Sequence, residues 1–109
     1  MTMFRQGDVL IVATTNTPRD LKPVERDQGR VILAYGEVTG HAHAIVAPDV
    51  ELFTIGDLDE MAGRFLRVEA EALLEHEEHD TIILPPGDYL VRRQREYTSA
   101  DMDPVYVAD

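Results

Sequence analysis

Short runs of apolar and β-branched residues recur along the chain, separated by segments rich in proline, glycine and acidic residues. Such runs with turn signals between them are typical of β-strands. The pattern predicts strands over six segments: Asp8 to Thr14, Arg30 to Tyr35, His41 to Ala47, Val50 to Ile55, Thr81 to Leu84 and Tyr89 to Tyr97. Several short strands at regular spacing predict an all-β fold, either a small barrel or a sandwich.

One segment, Arg64 to His76, is compatible with two structures. Its glutamate, alanine and leucine content favours a helix. However, apolar residues also recur in it at a period of two, which is the period of a strand: Leu66, Val68, Ala70, Ala72 and Leu74. Because the neighbouring segments also have strand patterns, we expect a strand here, with a helix as the open alternative.

The segments between the predicted strands contain residues that favour turns. Asn16 to Asp27 contains two prolines and is predicted to be a loop. Gly56 to Gly63 is acidic and has a glycine at each end, which predicts a loop or a single helical turn. From residue 98 onward the chain is predicted to be a loose acidic tail, in which Val105 to Val107 could add an edge strand.

Length and composition limit the class of protein. A chain of 109 residues corresponds to one domain, and an apolar content of 44% is normal for a globular fold. The absence of cysteine excludes disulfides and thiolate metal ligands. The first apolar run, Val9 to Ala13, is far too short to span a bilayer. We therefore expect a soluble, cytoplasmic protein that makes no membrane contact.

The net charge of −11 bears on the partners that we expect. It disfavours direct binding of nucleic acid, because phosphates are attracted to basic surfaces. It allows a basic protein partner, although a solvated acidic surface is the simpler explanation. Arg92, Arg93 and Arg95 could bind an anion, but we expect them to pair with the abundant acidic residues. Open edge strands in a small sheet would also allow a homodimer.

All four histidines of the chain lie in two short clusters, His41-Ala42-His43 and His76-Glu77-Glu78-His79. Histidine is the commonest metal ligand in proteins. Residues i and i+2 of a strand point to the same face, so His41 and His43 are predicted to project together. That spacing allows two imidazoles to bind one ion at about 2.0–2.1 Å each.

The second cluster depends on local structure. His76 and His79 share a face on a helix but not on a regular strand, so we expect at least one of them, His76 first, as a third ligand. Glu37, Glu77 and Glu78 are candidates for a carboxylate ligand or for orienting an imidazole. With nitrogen and oxygen donors, the ion could be Zn, Fe, Mn, Ni or Cu. A metal-free polar pocket and unrelated surface histidines are the alternatives.

The histidine pair and a later proline-glycine turn resemble the motifs of a minimal cupin. The residues that carry the resemblance are Gly36, His41, His43 and the run from Leu84 to Tyr89. The resemblance implies a β-barrel in which two histidines of a first motif, a glutamate and a later histidine hold a metal ion. This chain lacks a glutamate shortly after His43, and its proline-glycine turn follows the second histidine cluster. The runs GHAH, HEEH and QREY are also similar to small bacterial or phage proteins.

These observations lead to two hypotheses of function. The first is a small metal-binding, cupin-like protein with a histidine-lined pocket, acting as a metal-dependent enzyme or as a binder of a small molecule. The second is an acidic protein-interaction module or inhibitor that binds a basic partner surface. The sequence assigns no catalytic residue, because the chain has no cysteine and its one serine, Ser99, lies in the polar tail. Enzyme activity therefore stays undecided.

Overall fold

The computed structural model describes residues 2–36, 38–59 and 62–94. These residues form strands and turns and contain no helix. Accordingly, the described ranges include no helix long and apolar enough to cross a membrane. The ten strands are β1 (Met3–Gln6), β2 (Val9–Thr14), β3 (Leu21–Pro23), β4 (Val31–Tyr35), β5 (Ala42–Ile45), β6 (Val50–Ile55), β7 (Arg64–Val68), β8 (Ala72–Leu74), β9 (Ile82–Leu84) and β10 (Gly87–Arg93).

Six of the strands form one antiparallel sheet in the order β1-β2-β10-β7-β6-β3. The longest pairing joins β10 to β2, from Asp88 opposite Thr14 to Arg93 opposite Val9. Strand β10 therefore lies in the middle of the sheet, with β2 on one side and β7 on the other. The tight turn between β1 and β2 consists of Gly7 and Asp8.

A second layer consists of two hairpins, β4–β5 and β8–β9. An isolated antiparallel bridge joins them, in which Ala44 and Glu75 exchange two backbone hydrogen bonds of 2.9 Å. A register shift between Ile32 and Ala34 bends β4 where it pairs with β5. This bridge holds the residue that follows β8 beside β5.

The two layers share one hydrophobic core made mainly of aliphatic side chains. Alternate residues of each strand point into it, as the period-two pattern requires. The large sheet contributes Val9, Ile11, Leu66, Val91 and Tyr89, and the second layer contributes Val31, Leu33, Ile45, Leu74 and Leu84. The architecture is that of a small sandwich or open barrel whose sheets do not close into one ring.

The predicted all-β class is confirmed, and the ambiguous segment from Arg64 to His76 is extended rather than helical. It forms two strands instead of one, because the chain turns at residues 69–71 and joins two different sheets. The prediction of an uninterrupted loop over Asn16 to Asp27 was wrong, since β3 pairs with β6 inside it. Strand β1 was not predicted. Arg95 and the predicted tail strand from Val105 to Val107 lie outside the described residues.

Candidate metal centre

The four histidines meet at one end of the second layer. The ring centroid of His76 lies 5.7 Å from that of His41, 4.3 Å from that of His43 and 4.7 Å from that of His79. The rings of His43 and His79 are stacked, with centroids 5.9 Å apart. His41 and His43 come from the start of β5, and the other two come from the turn after β8. The fold therefore brings the two sequence clusters into one histidine cluster, the name used below for these four residues.

Three side chains of this region have the spacing of a candidate metal site. One ligand atom each from His41, His76 and Glu77 lie within 4.8 Å of one another. Two ligands of one tetrahedral ion are about 3.3–3.5 Å apart when each lies at 2.0–2.2 Å from it. The three ligand atoms therefore lie at most about 1.5 Å farther apart than the ligands of a bound ion, a difference that small rotations of these partly exposed and exposed side chains can close.

Glu77 is held in place by the backbone of β5. The amide of Ala42 donates a hydrogen bond of 2.9 Å to Glu77 Oε1. Because this bond stabilises the charged carboxylate, it lowers the pKa of Glu77 below its ordinary value. The backbone amide of Glu77 itself also lowers this pKa, and the charged carboxylate is the form that binds a cation.

A close contact with the Glu78 carboxylate orients His41, and a hydrogen bond orients His76. The Nδ1 atom of His41 lies 2.9 Å from Glu78 Oε1, an arrangement that leaves Nε2 for an ion. In contrast, Nδ1 of His76 accepts a 3.0 Å hydrogen bond from the backbone amide of Glu78, which places the proton of the neutral ring on Nε2. His76 must give up this bond, or turn its ring, before it can bind an ion. Burial and the nearby His79 lower the pKa of His76, so its neutral form is favoured.

Gln6 fixes the ring of His43. Its Nε2 donates to the carbonyl oxygens of Leu74 and Asp80, at 3.0 and 2.9 Å, so its Oε1 must face the other way. That oxygen lies 2.8 Å from His43 Nδ1, which therefore carries a proton and donates it. Both Gln6 and His43 are buried. The neutral ring of His43 consequently has its free electron pair on Nε2.

The free Nε2 of His43 faces a carboxylate. Asp8 Oδ1 lies 3.5 Å from it, while Oδ2 of the same carboxylate accepts a 2.8 Å hydrogen bond from Arg93 Nε. Burial lowers the pKa of His43 to about 4, and His76 adds to the effect, although Asp8 opposes it. Near neutral pH two electron-pair donors thus face each other, and a separation of 3.5 Å is close to that of two ligands of one ion.

Gly7 lets the β1–β2 turn approach the histidine cluster. Its φ of +56° is a conformation that residues with a Cβ rarely adopt. A Cβ on Gly7 would lie 2.7 Å from His79 Nε2 and 3.3 Å from His43 Cε1. A side chain at this position would therefore displace at least one imidazole.

Of the residues that the sequence nominated, His41, His43, His76, His79 and Glu77 lie together, whereas Glu37 lies outside the described residues. Sequence reasoning missed Gln6, Gly7 and Asp8, which support the histidine cluster from the other layer. The available signal was a glycine followed by an aspartate at the start of the first predicted strand, since both residue types favour turns. Nothing in the sequence indicated that Gln6 would be buried.

The fold and the histidine cluster define a small all-β domain with a candidate metal centre between two hairpins and the first turn of the main sheet. Residues 5–94 match a family described as "Domain of unknown function (DUF8820)". The chain belongs to this family, whose match includes every described residue of the histidine cluster and its supports. Comparison with curated proteins gave no match, and neither did comparison with solved structures.

Proposed function

We propose that this domain binds one divalent transition-metal ion, from among Zn, Fe, Mn, Ni and Cu, in a histidine-lined pocket. The observation that carries the proposal is the spacing of His41, His76 and Glu77, whose ligand atoms lie within 4.8 Å of one another. These residues come from two separate segments, and the fold brings them together. The described nitrogen and oxygen donors suit these metals.

The protonation states of the pocket support the proposal. Metal ligands must be deprotonated, and the shifted pKa values of His43, His76 and Glu77 all favour the forms that bind a cation. A cation would also relieve the repulsion between His43 Nε2 and Asp8 Oδ1. An ion held by three such donors retains an open position, which could polarise a small ligand or a water molecule.

The test is metal uptake by the untagged chain, because every histidine of the protein belongs to the histidine cluster. We expect near-stoichiometric metal after purification, or uptake of added Zn²⁺ in a competition titration with a chromophoric chelator. His41→Ala and His76→Ala should each weaken binding by at least about tenfold, and Glu77→Gln by about 10–100-fold. Glu51→Gln, an exposed change on β6, is the matched control and should leave the affinity unchanged.

A direct structural readout is available at Glu78. Because metal binding requires His76 to release the Glu78 amide, the backbone amide resonance of Glu78 should shift when Zn²⁺ is added. The proposal is contradicted if the untagged wild type takes up none of the five metals and its histidine ring resonances do not respond to them.

A second candidate function is an acidic protein-interaction module. The chain has a net charge of −11. The observation that favours this function is that all six acidic residues between positions 69 and 80 are exposed: Glu69, Glu71, Glu75, Glu77, Glu78 and Asp80. A basic protein that co-purifies at low salt, is released at high salt and is retained by His41→Ala would support this function. A cytoplasmic location and a homodimer stay predictions.

A further inference from the structure

An open cleft of about 300 Å³ lies on the second layer and adjoins the histidine cluster, with which it shares His76. This volume is at the lower end of the range for small-molecule sites, about 300–1,000 Å³. Residues of β5 and of the segments on either side of it line the cleft: Arg30, Ala42, Ala44, Val46, Glu75, His76 and Glu77. The cleft therefore combines an apolar surface with groups of both charges.

The apolar part of the cleft belongs to β5 and its C-terminal neighbour. Ala42 and Ala44 pack with Ile32 in a small apolar cluster that is separate from the main core. Next to them, the side chain of Val46 is 61% exposed. An aliphatic group lying in the cleft would cover this exposed apolar surface.

Two residues of opposite charge line the cleft on rigid backbone. Arg30 exchanges two backbone hydrogen bonds with Asp27, at 2.9 and 3.0 Å, directly before β4 begins. Glu75 exchanges two with Ala44 in the bridge between the hairpins. Across the described ranges, neither the Arg30 nor the Glu75 side chain forms an ion pair with another residue. Neither charge is therefore taken up by an ion pair with a described residue, and Arg30 acts on the nearby Tyr35 side chain only electrostatically.

We propose that this cleft binds a small zwitterion with an aliphatic body, of the chemical class of a free aliphatic amino acid or a short peptide such as a dipeptide. The ligand carboxylate pairs with Arg30, its ammonium group pairs with Glu75, and its aliphatic part packs on Ala44 and Val46. This site goes beyond the proposed metal site and does not require a metal ion.

The charges of the cleft select against simpler ligands. A purely anionic ligand is repelled by Glu75, by Glu77 and by the net charge of −11. A purely cationic ligand leaves Arg30 without a partner. An uncharged ligand leaves both Arg30 and Glu75 without one. Arginine is well suited to the carboxylate because its planar guanidinium can donate two parallel hydrogen bonds.

The test is a backbone amide NMR titration of the untagged full chain, once with Zn²⁺ and once after treatment with a chelator. The probes are L-leucine, glycyl-L-leucine, 4-methylpentanoate (leucine without its amine) and 3-methylbutylamine (leucine without its carboxylate). We expect saturable shifts at Arg30, Ala44 and Val46 with leucine or glycyl-leucine. The probe that binds more tightly identifies a free amino acid or a peptide as the ligand.

Each one-charge analogue should bind at least about tenfold more weakly than the best zwitterion, since it loses one ionic contact. Arg30→Gln and Glu75→Gln should weaken zwitterion binding to a similar degree while Zn²⁺ affinity stays within about twofold. Arg19→Gln and Glu51→Gln, exposed changes away from the cleft, are the matched controls. Retained amide dispersion in each variant will show that it has folded.

Two results would overturn the inference. One is the absence of saturable shifts at the cleft with both zwitterions, up to their solubility limits, in the presence and in the absence of Zn²⁺. The other is binding of 4-methylpentanoate or 3-methylbutylamine as tight as that of the zwitterions. Failure of Zn²⁺ uptake alone contradicts the metal proposal and leaves the zwitterion site standing, because the titration includes metal-free protein.

Discussion

At the scale of single residues, the side chain that organises the candidate metal centre is the amide of Gln6. It contacts the carbonyl of Leu74 before the second histidine pair, the carbonyl of Asp80 after it, and the ring of His43. One buried side chain thus fixes both ends of a turn and the protonation of an imidazole. Such a role can be seen only in three dimensions, because the partners are 37 to 74 residues away in sequence.

We predict that Gln6→Leu destabilises the fold and weakens metal binding. The change leaves the buried Leu74 carbonyl and the His43 Nδ1 proton without their partner, at a cost of about 1–3 kcal/mol for each unsatisfied buried group, and it also removes the hydrogen bond to the part-buried Asp80 carbonyl. Urea unfolding should show a total loss of about 2–4 kcal/mol. In the wild type, ring ¹⁵N NMR should detect the Nδ1-protonated form of His43. An equal population of both tautomers in the folded wild type would contradict the assigned role.

His43 also predicts how stability depends on pH. Its pKa is about 4 in the fold, against an ordinary value of 6.5, so between these values the unfolded chain binds the additional proton. Stability of the metal-free protein should therefore fall as the pH decreases from about 6.5 to about 4. Across this window, His43 lowers the free energy of unfolding by an amount on the order of 3 kcal/mol. Below about pH 4 this loss stays constant.

The measurement is urea unfolding of chelator-treated wild type and of His43→Gln, which does not titrate in this window. The difference in unfolding free energy between the two proteins should change by the predicted amount between pH 7 and pH 4. Parallel pH dependences would show that His43 titrates alike in the folded and unfolded states.

At the scale of elements, the β1–β2 turn connects the large sheet to the histidine cluster. We predict that Gly7→Ala weakens Zn²⁺ binding, and that its loss of stability alone does not account for the loss of affinity. The positive φ costs about 1 kcal/mol for a residue with a Cβ, and the added Cβ occupies the space of His79 Nε2. Gly29→Ala is the matched control, because its φ of +81° is also positive but no atom lies within 4 Å of its added Cβ.

Both variants should lose a similar amount of unfolding free energy, whereas Gly7→Ala alone should lose Zn²⁺ affinity in the chelator competition. Equal affinities of the two variants for Zn²⁺ would show that the turn does not position the imidazoles.

The sequence predicted the elements whose patterns are local. Val50 to Ile55 is a strand with the predicted bounds, and the alternation from Leu66 to Leu74 matches the buried face of β7 and β8. The pattern could not show the turn at residues 69–71, because period two continues through Ala70 although that residue is exposed. It also missed β3, which contains a proline and is defined by its pairing with β6.

The sequence predicted the histidines of the candidate metal centre. It did not predict Gln6, Gly7 and Asp8, which contact them or their neighbours. Two clusters of a metal-binding residue type drew attention to His41, His43, His76 and His79 whatever the fold. The bridge between Ala44 and Glu75, which brings the clusters together, is a long-range contact without a sequence signature. Asp8 likewise acquires its place only when β10 brings Arg93 beside it.

At the scale of the whole molecule, the candidate metal centre lies between the two hairpins of the second layer, which share few backbone hydrogen bonds with each other. Among the described residues, one isolated backbone bridge joins the β4–β5 hairpin to the β8–β9 hairpin, whereas several residue pairs join the two strands within each hairpin. His41 belongs to the first hairpin, and His76 and Glu77 follow the first strand of the second. An ion shared by these three residues would cross-link the two hairpins close to the bridge between Ala44 and Glu75.

This arrangement predicts that a metal ion stabilises the whole domain and protects the bridge in particular. A ligand that binds only the folded state adds about 2.7 kcal/mol at a free concentration 100 times its Kd, which raises Tm by roughly 10–15 °C for a domain of this size. Hydrogen exchange should slow at the amides of Ala44 and Glu75 more than at those of β2 and β10, because the ion closes the opening motion that separates the hairpins. His41→Ala should abolish both effects, and a chelator should reverse them in the wild type. If Zn²⁺ raises Tm of His41→Ala as much as that of the wild type, or protects all strands equally, the stabilising ion is bound elsewhere on the protein.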